Sequence, residues 1–176
     1  MRQLVIAVLL AAFVRPLQAT VVVPASLPEL SREARAIARG RVVRVDGRWT
    51  DDRRTIETIV TLEVESYLKG EFGSTLQFRV PGGRLGRFRN VVVGAPQFET
   101  GQRVIVFLGA AGPTIPHVLG LHQGVYRVVQ TEGGEWVVTP AATLAEMTIV
   151  RGTPERRPSA LAQFERDVRT AAQAER

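Results

Sequence analysis

At 176 residues the chain has the length of one ordinary domain and is short for two. Its 45% hydrophobic and 23% charged residues make a globular composition, not that of a disordered chain. With no cysteine, two histidines and a single lysine (Lys69), the chain excludes disulfides, thiolate zinc sites, iron–sulfur clusters and cysteine nucleophiles. The formal net charge of +6 is carried almost wholly by arginine, which bears on solubility and encounter with partners, not on fold.

Arg2 is followed by the uncharged run Leu4–Val14, then by Arg15, Pro16 and the small-residue end Leu17-Gln18-Ala19. That order of basic start, apolar middle and small-residue end predicts a secretory signal peptide over residues 1–19, cleaved after Ala19. Val23-Pro24-Ala25 is a second acceptable site. As a helix the apolar run would reach about 16 Å, roughly half a bilayer core, so no membrane anchor is expected after cleavage. The expected location is exported, periplasmic or extracellular. Removing the leader takes away Arg2 and Arg15 and no acid, which leaves the mature chain at +4.

Residues 20–150 are expected to form one β domain, and residues 151–176 a linker and a C-terminal helix. Ser26 with Glu29 three residues on reads as a capping box, and Pro28 fits the first helical turn. Leu27, Leu30, Ala34 and Ile37 recur at helical spacing, which predicts a helix ending near Ala38–Gly40. Arg39–Trp49 then alternates, with a slip at Val42-Val43 that predicts a bulge or bend. Asp51-Asp52 beside Arg53 and Arg54 reads as a mixed-charge hairpin tip. Ile56, Thr58, Val60, Leu62 and Val64 share one face of the next strand; Glu57, Thr61, Glu63 and Glu65 share the other, expected to be wet.

Leu76, Phe78 and Val80 alternate in a third strand that Pro81-Gly82-Gly83 ends. Residues 82–102 read as loop, with Asn90–Val93 as a short pairing segment. Arg103–Leu108 is short and nearly all apolar, which predicts a strand buried on both sides. Val125–Gln130 and Glu135–Thr139 flank a glycine-containing turn, as in a hairpin. Ala141–Val150 reads as a helical turn and short strand, and Pro158-Ser159 starts a final helix with Leu161, Phe164 and Val168 on one stripe. The expected fold is mainly β: a small antiparallel OB-like barrel flanked by short N-terminal and C-terminal α-helices.

In their order, Gly40–Val45, Val60–Gly70 and Gly101–Leu108 resemble the netrin-type OB-fold modules, including those of the tissue inhibitors of metalloproteinases. The chain is also similar to exported bacterial proteins that share Val80-Pro81-Gly82-Gly83, Gly94-Ala95-Pro96 with Phe98, and Val104 to Leu108 after Gly101. The resemblance spans about residues 27–140 and implies an OB-like fold. It also implies, as an alternative function, an inhibitor or accessory partner of a secreted metalloprotease. The inhibitors grip the protease zinc through an N-terminal cysteine, which has no counterpart at Thr20.

His117 and His122 are five apart and share no face of a helix or strand, so no metal site is expected. Ser66, Ser74 and Ser159 each have a structural role, at a strand end, a turn and a cap, and no nucleophile motif surrounds them. The carboxylates of residues 57–65 define a second alternative, a hydrolase using a carboxylate pair. The favoured site is basic. From Phe72 to Phe98 there is no acid, while Arg79, Arg84, Arg87 and Arg89 are present. The glycine- and arginine-rich loop 82–89, with Arg84, Arg87, Phe88 and Arg89 as contact residues, suits phosphate, sulfate or carboxylate groups. The leading expectation is an exported, non-catalytic binding or interaction module without cofactor. Its partner would be an anionic macromolecule, envelope lipid or acidic surface of an exported protein, not nucleic acid.

Overall fold

The computed structural model describes residues 25–110, 114–130, 136–140 and 158–174. The predicted leader, the turn before Trp136 and the Ala141–Val150 segment lie outside them.

Ser26 caps helix α1 (Leu27–Glu33) as the capping box requires: its hydroxyl accepts from the Glu29 amide, and Glu29 accepts from the Ser26 amide at 2.7 Å. The Glu29 carboxylate is held below its usual range, chiefly by that backbone hydrogen bond. The helix is shorter than its apolar spacing predicts. Ala34 turns extended, the Arg35 amide donates to the Leu108 carbonyl at 2.8 Å, and Ala36–Ala38 enter a strand. Pairing with a distant strand overrides local helical spacing there. Lys69 then donates to the freed carbonyls of Ser31 and Arg32, at 2.9 and 2.8 Å, so the lone lysine closes the C-terminal end of α1.

Ten strands follow among the described residues. The two longest, β1 (Ala36–Trp49) and β2 (Ile56–Lys69), pair antiparallel. The predicted irregularity in β1 is present: register shifts occur between Arg39 and Gly40 and between Val42 and Arg44. The bend lets Ala36–Arg41 of β1 pair on its other edge with β6 (Arg103–Gly109). β3 (Thr75–Pro81) lies along β2 and meets the two-residue β7 (His117–Val118) in a parallel pairing, Arg79 opposite His117. β7 pairs in turn with β6. The pairings thus pass from β1 through β2, β3, β7 and β6 back to β1. β8 (Val125–Gln130), β9 (Trp136–Pro140) and β10 (Ser159–Ala160) extend the sheet beyond β6, with β8 and β9 antiparallel as predicted. The architecture is a mainly β, mixed multistranded sheet with two helices.

β6 explains why its sequence is almost uniformly apolar. Val104, Val106 and Leu108 join the core between the strands with Val42, Val60, Leu62, Phe78 and Val125. Ile105 and Phe107 face a second core, with Leu30, Ile37, Tyr126, Phe164 and Val168 beneath the helices. Both faces are therefore buried, as the unbroken run implies.

Two further expectations change. Helix α2 (Leu161–Gln173) begins two residues after Ser159, because Ser159 and Ala160 pair with Val138 and Val137; Ala160 takes the N-cap position without a side-chain cap. The second face of β2 is only partly wet. Glu57 and Thr61 are 7% and 8% exposed, whereas Glu63 and Glu65 are exposed. Arg48, on the neighbouring strand, covers Glu57 with a 2.9 Å hydrogen bond, so the carboxylate is buried while its arginine partner stays partly exposed.

Candidate functional site

The stretch 82–102 is not all loop. Gly83–Leu85 (β4) and Phe88–Asn90 (β5) form a separate antiparallel hairpin, with Gly83 opposite Asn90, Arg84 opposite Arg89 and Leu85 opposite Phe88. Gly86, first of the two turn residues, has φ +57°, the left-handed conformation that tight hairpins favour. Of the predicted pairing segment Asn90–Val93, only Asn90 is in a strand.

Backbone contacts hold the hairpin against the β1–β2 ribbon. The Gly82 amide donates to the Ile56 carbonyl at 3.0 Å, the Thr58 hydroxyl donates to the Gly82 carbonyl at 2.8 Å, and the Asn90 side-chain amide donates to the Ile56 carbonyl at 3.3 Å. Gly47 makes this approach feasible: a Cβ there would stand 2.0 Å from the Arg84 carbonyl oxygen.

Three of the four sequence-predicted contact residues, Arg84, Arg87 and Arg89, line one cleft of about 660 Å³. Val45, Val80, Ala95 and Phe98 supply its apolar part. Phe88, the fourth, is turned toward Trp49, with ring centroids 5.6 Å apart. The Arg87 guanidinium lies 5.1 Å from the centre of the Phe88 ring, within cation–π range. Trp49 is the member of this group that sequence reasoning missed. Its signal was a large aromatic at a strand end next to a polar turn.

The electrostatics are one-sided. Among the described residues no ion pair involves Arg84, Arg87 or Arg89. Arg84 and Arg89 are direct cross-strand neighbours, an arrangement that places like charges on one face and opposes pairing. Within the hairpin, Arg84 Nε donates to the Gly86 carbonyl at 3.3 Å.

Glu57, Glu65, Asp52 and His122 have structural partners, while Glu63 is exposed. Glu65 accepts from Arg103 at 2.8 Å and lies 3.3 Å from Arg39, which also bonds Glu165 of α2; Glu165 in turn faces Arg169 at 3.6 Å. The Arg103 hydrogen bond, with the charges of Arg103, Arg39 and Arg41, holds the Glu65 carboxyl below its usual range against the opposing effect of burial. Glu57 and Glu65 are eight residues apart on β2, roughly 26 Å along an extended strand. Neither lines the cleft beside the β4–β5 hairpin. Asp52 accepts from the Thr50 hydroxyl at 2.6 Å and from the Arg54 amide at 3.1 Å, and these bonds lower its carboxyl below the usual range. His122 is buried, its Nδ1 3.2 Å from the Gly94 carbonyl, while His117 is in β7. Among the described residues no three histidine or acidic side chains gather in a way that would hold a metal ion.

In comparisons with protein-family models, curated proteins and solved structures, the chain matches none.

Proposed function

We propose that this chain is an exported, non-catalytic binding module whose β4–β5 hairpin contacts an anionic partner through Arg84, Arg87 and Arg89. The observation that carries the reading is the set of three arginines, without carboxylate partners among the described residues, on a six-residue hairpin frame, two of them directly opposed. A hairpin that existed only to cover the β1–β2 ribbon would be more stable with one of that pair neutral or acidic. Guanidinium groups set around a cleft suit phosphate, sulfate or carboxylate oxygens, which they bind in pairs. The leader-like residues 1–19 support placing the encounter outside the cytoplasm.

The fold belongs to this proposal as an OB-like barrel similar to the netrin-type modules. A long bent β1 shared by both ends of a five-strand circuit, closed by one short parallel pairing, favours it. OB folds present strand faces and loops to extended ligands.

The test is retention on heparin or a phosphorylated matrix under a rising salt gradient. The chain should bind at low salt and elute as counterions compete. Arg84→Ala/Arg87→Ala/Arg89→Ala should pass through while keeping its circular dichroism spectrum. Unchanged retention of a folded triple variant overturns the assignment.

A further inference from the structure

The same hairpin joins its charges to exposed apolar surface, and this combination narrows the partner. Trp49 and Phe88 leave 40% and 47% of their surfaces exposed while touching each other, and Val91, on the same cleft as the three arginines, is 67% exposed. Single exposed apolar residues are ordinary. Two aromatic rings in tilted contact, with Arg87 over one of them, and an exposed valine on the cleft of three arginines that have no acidic partner among the described residues bring apolar and cationic groups together at one hairpin.

We propose that this surface docks on anionic lipid, with Phe88 and Trp49 seated at the headgroup–acyl boundary and Arg84, Arg87 and Arg89 on the headgroup phosphates. The proposal rests on the anionic-partner reading above and names the partner. A soluble polyanion asks only for charge; it gives the Trp49–Phe88 pair nothing to bury against. A bilayer surface uses both components: tryptophan and phenylalanine favour the interfacial layer, and basic side chains are drawn to an anionic leaflet. Long arginine side chains reach headgroup oxygens while the rings enter more deeply.

The neighbouring charges leave this attraction intact. Arg48 pairs with Glu57 and Arg44 with Asp46, while Asp51 and Asp52 at the β1–β2 turn are matched in number by Arg53 and Arg54. Among the described residues the three hairpin arginines have no acidic partner. Among the described residues no helix is long and apolar enough to cross a membrane, so attachment through the hairpin would be peripheral.

The experiment is flotation of the full chain with phosphatidylcholine vesicles, with and without phosphatidylglycerol, run beside the heparin column. The N-terminus is common to wild type and variants, so it does not account for a difference between them. The wild type should float with phosphatidylglycerol vesicles and not with pure phosphatidylcholine. Arg84→Ala/Arg87→Ala/Arg89→Ala should lower partitioning about a hundredfold at low salt. Phe88→Ser should lower it about tenfold while shifting heparin elution far less than the triple arginine variant does. In a Trp136→Phe background, Trp49 is the remaining tryptophan, and its emission should shift to the blue on anionic vesicles alone. Heparin retention without flotation overturns the lipid assignment and leaves the anionic-partner reading standing, with a soluble polyanion as partner. Loss of both overturns both. Flotation that Phe88→Ser leaves unchanged, with unshifted Trp49 emission, also overturns it, because charge alone would then account for the attraction.

Discussion

The molecule uses arginine in two opposite ways. Near the helices, Arg39 and Arg103 share Glu65, and Arg39 reaches on to Glu165 of α2; every charge in that chain has an opposite neighbour. On the β4–β5 hairpin, Arg84, Arg87 and Arg89 stand with no acid between Phe72 and Phe98, and two of them face each other across the ladder. The first arrangement ties a C-terminal helix to the sheet. The second sets like charges against each other across the ladder, which on the binding proposal above is tolerated for contact with a partner. Residue type alone does not separate the two; the location of the carboxylates does.

The largest expected effect is at the paired end. Phe164 of α2 is buried with its ring 4.7 Å from that of Tyr126. Phe164→Ala should destabilise the fold by about 3 kcal/mol in denaturant unfolding, whereas the same change at exposed Phe88 should cost under about 0.5 kcal/mol. Equal losses would erase the distinction between the two ends. Gly47→Ala comes next. Its new methyl meets the Arg84 carbonyl, so a loss of about 1–3 kcal/mol is expected. Amide exchange should quicken at Gly82 and Asn90 of the hairpin before it quickens in β6; unchanged exchange there would show that the hairpin does not depend on this close approach.

Glu65→Gln should cost about 0.5–1 kcal/mol at neutral pH, since it removes the charge that binds Arg103 and Arg39 at an exposed site where water screens the pair. The folded carboxyl is depressed, so its contribution is fully present above the ordinary glutamate value of 4.5 and is lost as pH falls through the depressed value. Wild type and variant should therefore converge in stability on acidification below 4.5. A gap that stays constant in acid would remove the ion pair from the account. The smallest effect on stability belongs to the triple arginine-to-alanine variant. Removing the opposed Arg84 and Arg89 should leave thermal stability unchanged or raise it by a few tenths of a kcal/mol at low salt. A marked loss would show that the hairpin arginines are structural.

Much of the framework was legible because it rests on burial. The alternation from Ile56 to Val64, the slip at Val42-Val43 and the uninterrupted apolar run of β6 each correspond to the observed element. The failures are places where a distant partner decided a local choice. Ala36–Ala38 fit a helix by spacing and enter β1 because Phe107 and its neighbours bond them. Ser159 reads as a helix cap and is taken by β9. Glu57 reads as solvated until Arg48 covers it. The β4–β5 hairpin was hidden because its strands have three residues each, too few to show a period. The basic residues of the candidate site were visible as an acid-free stretch. Trp49 was not, since its place beside Phe88 depends on the hairpin folding back across Gly47.

The double pairing of β1 also bears on how the chain acquires its shape. Residues Ala36–Arg41 have β2 on one edge and β6 on the other. The β1–β2 ribbon needs only the turn near Asp51-Asp52 and can assemble early, but its second edge stays open until Arg103–Gly109 arrives from more than sixty positions later in the chain. Such long-range closure slows folding toward the millisecond-to-second range. Throughout that delay the β1-facing edge of Val104–Leu108, the greasiest strand in the framework, is open even where β8 covers the other edge, and is a template for self-association. The chain should therefore be most vulnerable to aggregation while newly made, and a soluble peptide copy of Ala36–Arg41 should compete for β6 during refolding and have little effect once the circuit is closed.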